Sequence, residues 1–135
     1  MRGPLGRRRS IVQIMSSEAL PIPDQRPLTE PERELARWML EHGAPEAAEF
    51  LPQLDRAEVV SRCFCGCASI DLQVVGMPEP SGGLQILGDY VFGDGSEVAG
   101  AFIFAKAGVL AGIEVYGMAG DAPSTLPLPS ALRPF

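Results

Sequence analysis

The sequence is poor in several things that chemistry uses. It has one histidine, His42, one lysine, Lys106, and one tryptophan, Trp38, in 135 residues, and its aromatic content is 7%. A single histidine confines any Cys-His nucleophile pair to His42. No C-x-x-C pair occurs, so the common zinc and redox cysteine spacings are missing. No run approaches the ~20 apolar residues that span a bilayer, which excludes a membrane-spanning reading. Cationic surface is also lacking: Arg2, Arg7, Arg8, Arg9 and Arg26 give the first 28 residues a formal charge of +3, which leaves −9 on positions 29–135. A body of that sign repels phosphate backbones and anionic lipid, so nucleic acid and membrane surfaces are not expected partners. Gly93-Asp94-Gly95 is a turn signature followed by no helix, and no cofactor motif is found.

What is present is the composition of one globular domain, 46% hydrophobic and 21% charged, in a chain too short for two separate cores. The stretch from Arg7 to Met15 starts with charge like a secretion signal, but its apolar part is about five residues where roughly 7–15 are needed. A cytoplasmic location is expected, and Met15 offers an alternative start. Residues 1–28 lack periodicity and read as a disordered or extended tail, leaving 29–135 as a single domain. Thr29-Glu-Pro-Glu32 spells a capping box, and Leu35, Trp38, Met39 and His42 follow at helical spacing until Gly43. Pro45 opens a second, shorter helix with Ala47, Phe50, Leu51 and Leu54 on one face. From Ala57 the pattern turns to strands over 57–64, 69–75, 84–92, 97–105 and 109–116. The expected fold is α+β: an N-terminal helical hairpin, with Trp38 and Leu35 facing the sheet, packed on an antiparallel meander of about five strands.

Gly88, Gly100 and Gly112 recur every twelve residues. Symmetric hairpin turns would align them across three strands as a groove, filled either by the helix bearing Trp38 or by a ligand or partner. Strict alternation then puts Leu84, Ile86, Tyr90, Phe92, Phe102, Phe104, Leu110 and Tyr116 on one face, against the helices. The opposite face carries Ala99, Ala101, Ile103, Ala111 and Ile113 and wants cover of its own. That surface points to a homodimer formed through the sheet.

Cys63-Phe-Cys65-Gly-Cys67 is the densest chemical cluster. Three thiols suit Zn or Cu(I), with His42 as a candidate fourth ligand. Alternate residues of an extended strand stand roughly 6.6–6.8 Å apart, so the chain must curl to bring the sulfurs together, and Gly66 permits that. The competing reading is small thiols packed at a strand junction. Asp89, Glu97 and Glu114 are strand carboxylates that could line a site, but no catalytic residues are assigned. The segment Arg62-Cys-Phe-Cys-Gly-Cys-Ala-Ser-Ile-Asp-Leu72, with Gly112-Ile-Glu-Val-Tyr116 and the closing Leu-Pro-Leu-Pro-Ser-Ala-Leu-Arg-Pro, resembles a family of small bacterial proteins with no assigned activity. That resemblance spans Leu28 to Phe135 and implies a bacterial single-domain protein without adding site residues. The sequence thus ranks a non-catalytic binding or interaction domain first, a thiol-based metal or redox protein second, and an enzyme last.

Overall fold

A computed structural model describes residues 21–135; the N-terminal part of the expected tail, residues 1–20, lies outside the described residues. The chain order is β1 (Ile22–Pro27), α1 (Glu30–Glu41), a 3-10 helix (Pro45–Phe50), α2 (Leu51–Leu54), β2 (Ala57–Arg62), β3 (Ile70–Val74), β4 (Leu84–Phe92), β5 (Ala99–Lys106), β6 (Val109–Gly117) and β7 (Arg133–Pro134). The fold is α+β, with one antiparallel sheet of order β1-β2-β3-β6-β5-β4-β7. No helix among the described residues is long and apolar enough to cross a membrane.

The capping box forms as its residue types require. Thr29 Oγ1 accepts the Glu32 N–H at 3.2 Å and Glu32 Oε1 accepts the Thr29 N–H at 2.8 Å. Leu35, Ala36, Met39 and Leu40 of α1 are buried against the sheet, while Trp38 is half-buried and packs at the core's margin. The helix ends at His42, whose N–H and Nδ1–H both donate to the Trp38 carbonyl. Gly43 then passes so close to β4 that a Cβ there would meet the Leu87 carbonyl oxygen at 2.2 Å, and the Ala44 N–H donates to that same oxygen at 2.8 Å. Only glycine permits this approach.

Four expectations are corrected. The sheet has seven strands, because Ile22–Pro27 from the expected tail and Arg133–Pro134 from the Pro-rich end both join it. Neither segment shows apolar alternation, since edge strands are recruited by backbone pairing. The second helix is mostly 3-10, with only Leu51–Leu54 α-helical, and Pro52 removes the amide donor that an α-turn back to Ala48 would need. The sheet is not a simple meander: β3 pairs with β6, and the chain crosses from β3 to the far side of β5 before β4 begins. Two meanders, β1-β2-β3 and β4-β5-β6, are therefore joined at one seam. There Ser69 Oγ accepts the Val115 N–H at 2.9 Å and donates to the Val115 carbonyl at 3.3 Å.

The fourth correction concerns the two faces. Leu87 is an extra residue in β4 between the pairs Ile86↔Phe104 and Gly88↔Ile103, and Ala111 is an extra residue in β6 between Leu110↔Ala105 and Gly112↔Phe104. A one-residue insertion moves every later side chain to the other face. Ala99, Ala101, Ile103 and Ile113, expected to be a pairing surface, are instead core residues at 0–1% exposure. Small residues there let α1 settle closely on the sheet. Phe102, Phe104 and Tyr116 lie on the opposite face, with ring centroids 5.6 and 6.2 Å apart.

Candidate functional site

The three glycines do not share a row, because Gly88 pairs with Ile103, Gly100 with Val91 and Tyr116, and Gly112 with Phe104. The turns are not centred on Asp94 and Lys106: a 3-10 turn over Gly95–Glu97 lengthens the first, taking Glu97 out of any strand. The second tightens to Ala107-Gly108, both at positive φ. Each glycine instead seats one ring. A Cβ would collide with Tyr90 at Gly88, with Tyr116 at Gly100 and with Phe104 at Gly112.

Gly88 and Trp38 nevertheless meet, together with His42, in an apolar cleft of about 690 Å³ closed by Leu87, Tyr90 and the C-terminal Phe135. Trp38 stacks on His42 with centroids 4.1 Å apart and tilts against Tyr90 at 5.4 Å. The Tyr90 hydroxyl donates to the Met39 carbonyl at 2.8 Å, tying the cleft floor to the end of α1. His42 Nδ1 is committed to the Trp38 carbonyl, which leaves Nε2 as the ring nitrogen free to meet a ligand. The sequence leads one to expect Leu126, Leu128, Leu132 and Phe135 of the C-terminal stretch to pack along the sheet; Leu132 is buried and borders this cleft with Phe135, while Leu128 and Phe135 stay exposed.

The thiols gather elsewhere. Residues 63–69 form the loop of the β2–β3 hairpin, closed by Arg62↔Ile70 pairing. The Gly66 N–H donates to the Cys63 carbonyl at 3.3 Å, and Gly66 takes φ +89°, which side chains disfavour. The Ala68 N–H donates to the Pro123 carbonyl at 2.9 Å and pins the loop to the C-terminal segment. This curl turns a strand spacing into a cluster: the Sγ atoms of Cys63, Cys65 and Cys67 all lie within 4.8 Å of one another. None is disulfide-bonded, and Cys65 is exposed while the other two are half-buried. The Cys63 and Cys65 sulfurs stand 2.8 Å apart, and the Cys67 N–H donates to Cys65 Sγ at 3.4 Å. Burial and the bond to Cys65 push the Cys63 thiol up to about 12. Donation from Cys63 and Cys67 lowers the Cys65 thiol.

His42 does not join this cluster. Cys67 borders a cavity with Thr29, Pro31 and Glu32 at the start of α1, and His42 caps the other end of that helix, about 18 Å away along twelve residues. The thiol group contains no fourth histidine or carboxylate among the described residues. Arg62 Nε is 3.9 Å from Asp24 and half exposed. On the opposite face of the sheet, burial raises the carboxyls of Asp89 and Glu114, and Asp89 Oδ1 is buried without a hydrogen-bond partner. They face each other only across Phe102 of the intervening strand.

No family model, curated protein or solved structure matches the chain.

Proposed function

We propose that the protein is a non-catalytic binding domain whose chemically specific site is the Cys63-Cys65-Cys67 turn, and that this turn takes one soft metal ion, Cu(I) in preference to Zn. The observation that supports it is the mutual approach of three sulfurs within 4.8 Å on one short loop. Three sulfurs each ~2.3 Å from a central ion stand about 4 Å from one another in a trigonal plane. The described sulfurs bracket that spacing, with Cys63 and Cys65 at 2.8 Å and all three within 4.8 Å. Zinc favours a fourth ligand that the described residues do not bring to the cluster, whereas Cu(I) is satisfied by soft thiolates alone.

Reduced protein titrated with Cu(I) against a chromophoric chelator should retain one ion per chain and show a thiolate-to-metal charge-transfer band. Cys65→Ser should lose both with the far-ultraviolet circular dichroism unchanged. Retention of a full equivalent by Cys65→Ser, or none by the wild type, would remove the reading.

The cleft supports a second reading, a pocket for a small apolar ligand or a partner side chain. Its walls place Trp38, Tyr90 and His42 around one space of about 690 Å³, a size and lining typical of ligand sites. Trp38 is the sole tryptophan, so its emission reports occupancy directly: an environment-sensitive apolar dye should shift it in the wild type and shift it less in Phe135→Ser, which removes an exposed apolar wall of the cleft.

A further inference from the structure

The two outer margins of a sheet expose backbone donors and acceptors, and soluble proteins blunt them with proline, charge, bulges or cover. At one margin β1 does this fully: its sequence Ile-Pro-Asp-Gln-Arg-Pro carries two prolines and two charges, and its pairing with β2 is interrupted by a bulge between Pro23 and Arg26. The other margin is different. β7 pairs with β4 only at Tyr90↔Pro134 and Val91↔Arg133. Below that point Leu87 and Gly88 are buried, and the exposed part of β4 is Leu84-Gln85-Ile86, paired on its inner side with β5 and with no strand on its outer side among the described residues. The Ala44 N–H takes one outward carbonyl, that of Leu87.

This open stretch has none of the usual protection. It holds no proline and no charge, and Leu84 and Ile86 are 49% and 45% exposed. Both point to the face of Phe104, since Ile86 pairs directly with it. The edge is also demonstrably able to accept a strand, because the chain's own C-terminus already adds one at its upper end.

We infer that the Leu84–Ile86 edge pairs with the same edge of a second copy of this chain, extending the sheet across a two-fold axis. Antiparallel pairing centred on Gln85 sets Leu84 beside the partner's Ile86 and Ile86 beside the partner's Leu84, so four exposed apolar side chains cover one another next to Phe104. The contact is self-complementary, as a two-fold interface must be. It is also the stretch where two chains of net charge −6 meet without like charges opposed, since residues 80–88 contain no acid or base. An edge of three residues and its apolar rim cover well under the ~800 Å² of a standard partner surface. The dimer is therefore concentration-dependent rather than obligate.

Sedimentation of the full reduced chain from micromolar to millimolar concentration tests this. Wild-type protein should move from the 14.4 kDa chain mass towards twice that value. Hydrogen exchange of the amides of residues 84–86 that face away from β5 should slow in the same range. Ile86→Lys and, independently, Leu84→Glu should hold the chain at monomer mass at millimolar concentration while keeping its circular dichroism. A wild type that stays monomeric throughout overturns the inference. So does a dimer that both variants leave intact, or protection of those outward-facing amides that does not depend on concentration, which would mean that another part of the chain covers the edge.

Discussion

The two margins of this sheet are held in place by different physics. At the β1 margin an ion pair does the anchoring: Arg26 donates to both Glu32 carboxylate oxygens at 2.8 and 2.9 Å, and Glu32 also belongs to the capping box of α1. Strand and helix are thus locked through one carboxylate. At the β4 margin the anchoring is apolar and steric: Gly43 presses on Leu87, and Leu87 is fully buried beneath the helix. The β1 margin rests on an ion pair and is sensitive to acid. The β4 margin rests on packing and, among the described residues, is unpaired beyond its anchor, so each can be broken without the other.

The largest expected effect is at the β4 anchor. A valine at Gly43 must push its Cβ into the Leu87 carbonyl, a backbone atom that cannot rotate away. Helix exit and strand would have to separate, losing the Ala44 N–H bond and opening the core around Met39 and Leu87. Gly43→Val should cost about 3 kcal/mol or more, read from chemical denaturation.

At the β1 margin the effect is smaller and depends on pH. Burial pushes the Glu32 carboxyl up, but hydrogen bonds from Arg26 and Thr29 outweigh it and hold the group below the ordinary glutamate value. A carboxylate depressed by folding contributes stability that is complete above its unfolded pKa and lost as pH falls through its folded pKa. Glu32→Gln should therefore destabilise by about 1–3 kcal/mol at neutral pH, with the deficit shrinking below about pH 4 as the wild type loses the same charge. An equal deficit at pH 3 and pH 7 would show that Glu32 acts by shape alone.

Between these margins lies the lesson about what was readable in the residues. Capping box, helix α1 and the inner strands follow from local pattern: Thr29 and Glu32 at spacing three, and apolar residues at spacing three and four or two. The registers did not follow. A bulge at Leu87 or Ala111 is one residue in an otherwise regular strand, with no side chain that announces it, yet it moved Phe102 and Phe104 away from the helices and sent Ala101 and Ile103 beneath them. β1 and β7 escaped notice because edge strands need no apolar alternation. The thiol cluster was legible because Gly66 marks the curl that three alternating cysteines require. The distance between that curl and His42 was not, since it depends on which end of α1 the β2–β3 loop reaches.

The thiol loop sits on the β1 side of the molecule and its geometry rests on Gly66 at φ +89°, with open space around its Cβ position. Gly66→Ala should cost about 1 kcal/mol from backbone strain alone. Relaxing that strain opens the curl and spreads the three sulfurs, so Cu(I) affinity should fall about tenfold while the stoichiometry stays at one. Unchanged affinity would show that the sulfurs gather without help from the turn.

The smallest effect on stability is expected at the open edge itself. Ile86 is 45% exposed and lies outside the buried cluster, so Ile86→Lys removes little packing. The long lysine stem can still lie along Phe104 with its ammonium in water. At micromolar concentration its denaturation midpoint should match that of the wild type within about 0.5 kcal/mol. At millimolar concentration the wild type should gain stability that the variant does not, because association adds to apparent stability only where the folded state binds. The same lysine on β1 would change nothing at either concentration, since that margin is already blunted by Pro23, Asp24, Arg26 and Pro27. A midpoint for Ile86→Lys that falls by more than 2 kcal/mol at low concentration would mean that Ile86 belongs to the core of the monomer. The two margins would then be alike in being sealed.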